Sequence, residues 1–431
     1  MTSDYIDSHY RRSLNSHESY PSLDGKSDTD ICIIGGGLAG LTTALELCRR
    51  GRSVTLLDGR RIGWGASGRN GGFVTPGYST DFDKIVRKAG HDQAAEIYRL
   101  SIEGVRIIAD NIRTLDIQDA KQTQGIMSVI RYDDASGLQT YRDHLERDFG
   151  RKLLFMPTDD VRRTLRSAKY HQALYADDSF HFHPLNYCRA LAREITRLGG
   201  LIHEDSQATA IDLSHPTKIV RTATGQVSAS TIVFAGGGYT DALCPALRRS
   251  ILPIATYVLL TEPAADIIND TIRTKAGIGD DRRAGDYYRI VDESRLLWGG
   301  RITTRISDPA DLAKLLRKEM TSTYPQLSQL KIEVAWSGLM AYARHLMPQI
   351  GQLAPGIWYC TAFGGHGMNT SSIGGRLIAE AIIGASDRYR LFSPFGLVWN
   401  GGAFGRAAAQ LTYWGYQAQD FWREWRARSP A

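Results

Sequence analysis

The chain has 431 residues, 42% hydrophobic and 23% charged, a globular balance long enough for two domains. Its 52 Lys and Arg against 46 Asp and Glu leave a net charge of +6 with no dense basic run, which argues against a nucleic-acid partner. Five cysteines, Cys32, Cys48, Cys188, Cys244 and Cys360, follow neither a disulfide framework nor a metal-ligand spacing, so they read as buried free thiols in a reducing compartment and no metal is expected.

Residues 1–29 are polar and form an N-terminal extension without the apolar stretch of a signal peptide. Nothing later approaches the length of a membrane span, and the expectation is a soluble, cytoplasmic protein. Residues 31–58 then spell a strand, a Gly-Gly-Gly-Leu-Ala-Gly turn, a helix and a second strand that ends in Asp58. In such a unit Gly35 permits the tight exit from the strand, Gly37 lets a pyrophosphate approach bare backbone, and Gly40 lets helix and sheet pack closely. The apolar helix 41–48 then starts with free N–H groups that favour the phosphates. Asp58 is placed to accept ribose hydroxyls and would repel a 2′-phosphate, so FAD or NAD fits better than NADP.

A loop too rich in glycine for strand or helix follows at 63–72, and helical patterning runs over 81–115 with Ile85, Ala89, Ile97, Leu100 and Ile107 on one side. A strand is expected at 125–130, a helix at 136–149, and another helix at 185–198, closed by Gly199 and Gly200. Strands at 201–203, 208–213 and 230–234 follow, the last running into Ala235 and Gly236 much as the first strand runs into its turn. Antiparallel strands are expected at 254–261, 287–291 and 296–302, with a helix at 309–320 and strands at 331–337 and 357–362. Gly364 to Gly367, Gly-Gly-His-Gly, opens a helix over 372–383. Beyond 393, Leu411, Trp414, Ala418, Phe421 and Trp425 share a helical face opposite Arg423, Arg426 and Arg428, the pattern of a terminal helix docked on its own body more often than of one lying on a membrane.

The first glycine motif, the 63–72 loop and the Gly-Gly-His-Gly element occur together and in this order, and with them the chain resembles the FAD-dependent D-amino-acid oxidase (DAO) superfamily. It is most similar to the γ-glutamylputrescine oxidase branch, with sarcosine and glycine oxidases more distant. The resemblance implies an α/β plus α+β fold. A Rossmann-like FAD-binding domain would be assembled from 30–118, 150–240 and 350–385. A substrate domain with a mainly antiparallel sheet would take 119–149 and 241–349, and 386–431 would form a C-terminal helical extension.

It also implies a cofactor set. Gly35, Gly37, Leu38, Ala39, Gly40, Asp58, Gly59 and Arg60 would hold the ADP half. Gly65, Ala66, Ser67, Arg69, Asn70, Gly71 and Gly72 would run along the pyrophosphate and flavin. Gln207 or Ala208 would meet the adenine side, Ala235 and Gly236 would also border the cofactor, and Gly364, Gly365, Gly367 and Met368 would sit at the flavin's pyrimidine end. Departures from the resemblance narrow the chemistry. Asn369 stands where many sarcosine oxidases place a lysine for the substrate carboxylate, Leu297 where they place an oxygen-activating lysine, and no cysteine lies near 339–341 to tether the flavin. FAD is therefore expected to be non-covalent.

Candidate catalytic residues are His366, Tyr257, Trp298, Tyr342 and Asn369, the aromatic ones, with Trp336, as an apolar cage for an amine. The expected reaction is oxidation of the C–N bond of a primary or secondary amine, γ-glutamylputrescine-like or related, by hydride transfer to the flavin, the imine then hydrolysing. Oxygen or an electron carrier would accept the electrons, and the oligomeric state is open. Three alternatives stand beside it: a D-amino-acid or opine-type dehydrogenase with a non-oxygen acceptor, a non-catalytic flavoprotein that binds a partner through its C-terminal helix, and a nicotinamide-using reductase.

Overall fold

The computed structural model describes residues 4–240, 242–282, 285–304 and 309–428, the last four by backbone alone. Two sheets organise the described chain. In the first, strands Gln349–Ala354, Ile357–Thr361, Gly225–Phe234, Gly25–Ile34, Val54–Leu57 and Leu201–His203 lie side by side, with Ala210–Asp212 and Lys218–Arg221 as an antiparallel appendage. All of the six neighbours pair in parallel except Gln349–Ala354. Helices cover both faces of such a sheet, which explains why Ile31, Cys32 and Ile33 are buried in succession instead of alternating.

The first strand starts at Gly25, six residues before the apolar run that betrays it in sequence. Its polar first half pairs with Gly225 to Ala229 and alternates exposed and half-buried residues, so periodicity alone missed it. Helix Leu38–Cys48 is buried along its whole length. Helix Gly367–Ile382 packs so closely on it that a Cβ on Gly375 would fall 2.8 Å from the Ala39 carbonyl oxygen. The expected single helix over 81–115 is two, Phe82–Ala89 and His91–Thr114, because Gly90 takes φ +84° and turns the chain between them.

The second sheet runs Ile332–Tyr342, Leu252–Thr261, Arg295–Thr303, Tyr287–Val291, Gly277–Asp280, Thr123–Val129, Ala173–His181 and Phe73–Val74, with Leu154–Met156 off this path. Most of its pairs are antiparallel; Gly277–Asp280 and Thr123–Val129 are parallel. Leu154–Met156 and Ala173–His181 thus lie in this sheet, although 150–240 was assigned to the first region, because their partner is the strand Thr123–Val129. One face packs on helix Leu312–Thr323, and the other meets the first sheet's helices and the N-terminal segment.

That segment is no loose extension. Tyr10 is fully buried, donates its hydroxyl to the Asn70 carbonyl at 2.5 Å and accepts from Arg289 at 3.1 Å. At the other end, helix Gly402–Arg428 docks on the body as expected, but by the opposite face: Leu411, Trp414 and Phe421 are exposed, while Tyr413 and Asp420 are buried. The side chain of Trp425 lies outside the described residues. No helix among the described residues is long and apolar enough to cross a membrane.

Candidate active site

A cavity of about 1250 Å³ lies between the two sheets, reaching from Asp58 and Gln207 past the first glycine turn to Tyr342 and His366, and on to Tyr98, Tyr141 and Arg151. Of the residues that the sequence assigns to a cofactor, all border it except Gly40 and Gly72. Those two act one layer behind: a Cβ on Gly40 would fall 2.0 Å from the Gly35 carbonyl oxygen, and one on Gly72 2.3 Å from that of Phe182.

The narrow end is made by backbone. Gly35 has φ +116°, and a Cβ there would stand 2.6 Å from the Ala235 oxygen, so the first strand and Gly225–Phe234 end in one tight crossing. Helix Leu38–Cys48 opens from this crossing without a side chain on its N-cap Gly37 to close it, its Leu38 N–H bonding Ser67 Oγ at 2.9 Å and its Leu41 N–H the Gly37 carbonyl at 2.9 Å. Asp58 accepts from the Gly36 and Arg60 N–H groups at 2.6 and 2.7 Å, and burial lifts its carboxyl to about 6. Asn70 fastens the 63–72 loop: its Nδ2 donates to the Ala66 and Ser67 carbonyls at 2.8 and 3.0 Å, and its Oδ1 accepts from Gly72 N–H at 2.7 Å.

Helix Gly367–Ile382 also presents an uncapped N-terminus to the cavity, preceded by His366. Two helix ends with free N–H groups thus face one space, the field that anionic groups such as a pyrophosphate or a reduced flavin ring need. A bare-backbone turn, an acid beside it and a long slot behind it fit an adenine dinucleotide.

Residues 30–381 match the model of the DAO family, FAD dependent oxidoreductase. The chain belongs to this family. It is 33% identical to the gamma-glutamylputrescine oxidoreductase of Escherichia coli (strain K12) over 392 residues, covering 90% of this chain and 92% of that one. Among solved structures, the glycine oxidase from Geobacillus kaustophilus superposes with a TM-score of 0.73 at 18% identity, over 86% of this chain and 99% of the other. The L-amino acid deaminase from Proteus myxofaciens gives 0.72 at 16% identity, over 90% and 96%. The chain is an FAD-dependent oxidoreductase with the DAO fold.

Several expected site residues stand elsewhere. Tyr257 and Trp298 do not border the cavity; both face helix Leu312–Thr323 on the far side of the second sheet, where Trp298 stacks on Tyr288 at 4.3 Å. Trp336 faces the 63–72 loop and donates its indole N–H to the Arg69 carbonyl at 2.8 Å. Arg69 was expected on phosphate or flavin. It borders the cavity, donates to the Trp64 and Ser337 carbonyls and lies 4.1 Å over the Trp64 ring, so it ties the 63–72 loop to the second sheet. Asn369 borders the cavity but gives its Nδ2 to the Gly77 and Ser101 carbonyls, each at 3.3 Å, which anchors the 75–79 loop.

Tyr342 and His366 both border the cavity. Burial raises the Tyr342 phenol to about 12, with Ser79 as a nearby hydrogen-bond partner that opposes the rise, and Ser79 Oγ accepts from Gly365 N–H at 2.7 Å. Burial holds His366 below its usual range, hence neutral at pH 7. The sequence reading missed Trp64, Tyr239, Tyr287, Tyr98, Tyr141 and Arg151, all of which border the cavity. For Tyr287 the only trace was a pair of glycines, since a Cβ on Gly71 or Gly299 would lie 2.4 or 2.1 Å from its ring. Arg151 grips Asp178 through two bonds of 2.7 and 2.8 Å and donates to Tyr98 at 3.1 Å.

Proposed function

We propose that the protein oxidises the C–N bond of a primary or secondary amine that bears no carboxylate beside the reacting carbon, a γ-glutamylputrescine-like amine or a close relative. Bound FAD supplies the two-electron acceptor for such a bond. The chain would hold it non-covalently, by the Gly35 to Gly40 turn, Asp58, the 63–72 loop and the end of helix Gly367–Ile382.

One observation carries the reading. Of the arginines that border the cavity, Arg69 is bonded to two carbonyls, Arg151 to Asp178, and Arg282 to Asp280 and Asp286, while Arg60 lies beside Asp58 at the nucleotide end. No lysine borders it among the described residues, and Asn369 is engaged with backbone. An α-carboxylate near Tyr342 and His366 would therefore meet no lysine, and would have to draw an arginine away from partners it already holds. A chain that leads away from the amine meets Ile126, Leu138, Leu145 and Leu174, with Tyr98 and Tyr141 among them, apolar walls suited to an extended aliphatic substrate. The E. coli relative's name points to the same class.

In this reading the neutral His366 and the Tyr342 hydroxyl orient the amine and hold its nitrogen deprotonated, and the buried wall excludes water. The test is anaerobic titration of the purified flavoprotein with γ-glutamylputrescine, putrescine, D-amino acids and N-methyl amino acids. Bleaching of the flavin band by the first two alone is expected. Bleaching by the α-amino acids and not by the polyamines would refute the reading.

A further inference from the structure

Given an amine substrate of the class proposed above, we infer that Arg151 and Tyr98, with Tyr141 beside them, form a subsite that reads the far end of that substrate: it takes the carbonyl oxygen of an acylated amine and turns away a second ammonium. All three side chains border the cavity. Consecutive residues of one loop link them to the end at Tyr342. Ser79 Oγ accepts from Gly365 N–H at 2.7 Å, and Tyr78 donates its hydroxyl to the carbonyl of Ile97, the residue before Tyr98, at 2.7 Å. The two ends thus lie within the span of a short loop, a distance that an extended aliphatic amine covers.

The subsite is built and rigid. The Arg151 side chain is only 7% exposed, and the Tyr98 ring packs on Phe149 with centroids 4.2 Å apart. Of the five N–H groups of a guanidinium, Arg151 gives Nε and one of Nη2 to Asp178, at 2.7 and 2.8 Å, and one of Nη1 to Tyr98 Oη at 3.1 Å. One N–H on each Nη remains. Tyr98 Oη accepts that bond, which leaves its own proton to donate, and burial raises its phenol above the usual range, so the proton stays. The carboxylate of Asp178 balances the guanidinium and spends both oxygens on it, so what remains is a set of donors without net charge. A neutral carbonyl oxygen satisfies such donors, whereas a carboxylate would compete with Asp178. An ammonium fares worst. It meets Arg151 and finds no open acid, since Asp81, the other carboxylate near Tyr141, pairs with Lys84 at 3.1 Å.

The test follows stopped-flow reduction of the flavoprotein against the concentration of N-acetylputrescine, n-heptylamine of matched length, and putrescine, in the wild type, Y98F and R151M/D178N. The double variant removes both charges together, so that no buried carboxylate is left unpaired. If it does not fold, Y98F alone decides. The wild type should bind N-acetylputrescine about tenfold more tightly than n-heptylamine, the scale of one hydrogen bond, and putrescine least tightly. Each variant should reduce that preference to about twofold or less. A ratio between two amines on one protein is insensitive to general loosening of the fold. A wild type that prefers n-heptylamine, or that binds putrescine as tightly as N-acetylputrescine, would overturn the subsite, as would a preference that survives in either variant; in these cases amines still reduce the flavin and the proposed function stands. Reduction by none of the three would contradict that function as well.

Discussion

The two ends of the cavity are walled by different parts of the chain. At the nucleotide end the wall is backbone: a Cβ on Gly35, Gly36 or Gly40 would come within 2.6 Å of a neighbouring atom, and the groups offered are N–H donors and one carboxylate. At the far end the wall is side chains, Tyr342, Tyr287, His366, Tyr98 and Arg151, gathered from five separate segments. The first arrangement leaves no room for a side chain on those glycines and offers only groups that any adenine dinucleotide without a 2′-phosphate can use. The second can change residue by residue with less disturbance of the fold, and in the proposed function it is where one amine would be told from another.

The sharpest way to break this contrast is Gly40→Ala, which sets a methyl against the Gly35 carbonyl. It should cost about 3 kcal/mol in urea unfolding and leave the protein colourless; a wild-type midpoint with bound flavin would mean that the turn is not under the constraint described. Next in size is Asp58→Ala. Loss of a charged acceptor should weaken FAD binding by about 1.5–3 kcal/mol, roughly ten- to a hundredfold, in a fluorescence titration. The same carboxyl gives a pH signature. Its value of about 6 in the flavin-free protein means that it is ionised above pH 6 and takes up a proton below. FAD affinity in the wild type should therefore be flat above pH 6 and fall as pH drops through it, and Asp58→Ala should erase that dependence.

At the other end, Tyr342→Phe and His366→Ala should retain FAD but slow flavin reduction by amine about tenfold each, the scale of one lost hydrogen bond in the transition state. Stopped-flow traces at the wild-type rate would remove both residues from the chemistry. The smallest effect sharpens the contrast from outside the cavity: Trp298→Phe should lower stability by about 1–2 kcal/mol and leave flavin reduction unchanged, since its ring stacks on Tyr288 behind the sheet.

How far the sequence could be read follows the same divide. Glycines that let backbone approach backbone leave a spacing in the chain, and the turn at 35–40, the 63–72 loop and the 364–367 element stand out for that reason. An aromatic on a strand carries no mark of which face it takes unless the alternation holds. Here it breaks: the register slips between Thr256 and Tyr257 opposite Arg295–Thr303, and Arg301 takes φ +51°. Thr256, Gly300 and Ile302 consequently border the cavity, while Tyr257 and Trp298 pack into the core behind. Arg151, Tyr98 and Tyr141 reach the cavity only through long-range packing of helices, which local pattern does not record. The C-terminal helix shows the same limit, for its amphipathic stripe was legible and the side on which it docks was not.

Whether the backbone-walled end grips FAD without a covalent bond is read from the absorption spectrum of the purified protein before and after acid precipitation. A yellow protein that releases all of its flavin as FAD into the supernatant is the expected result. A protein that stays colourless after incubation with excess FAD, or whose flavin remains with the precipitate, would contradict it.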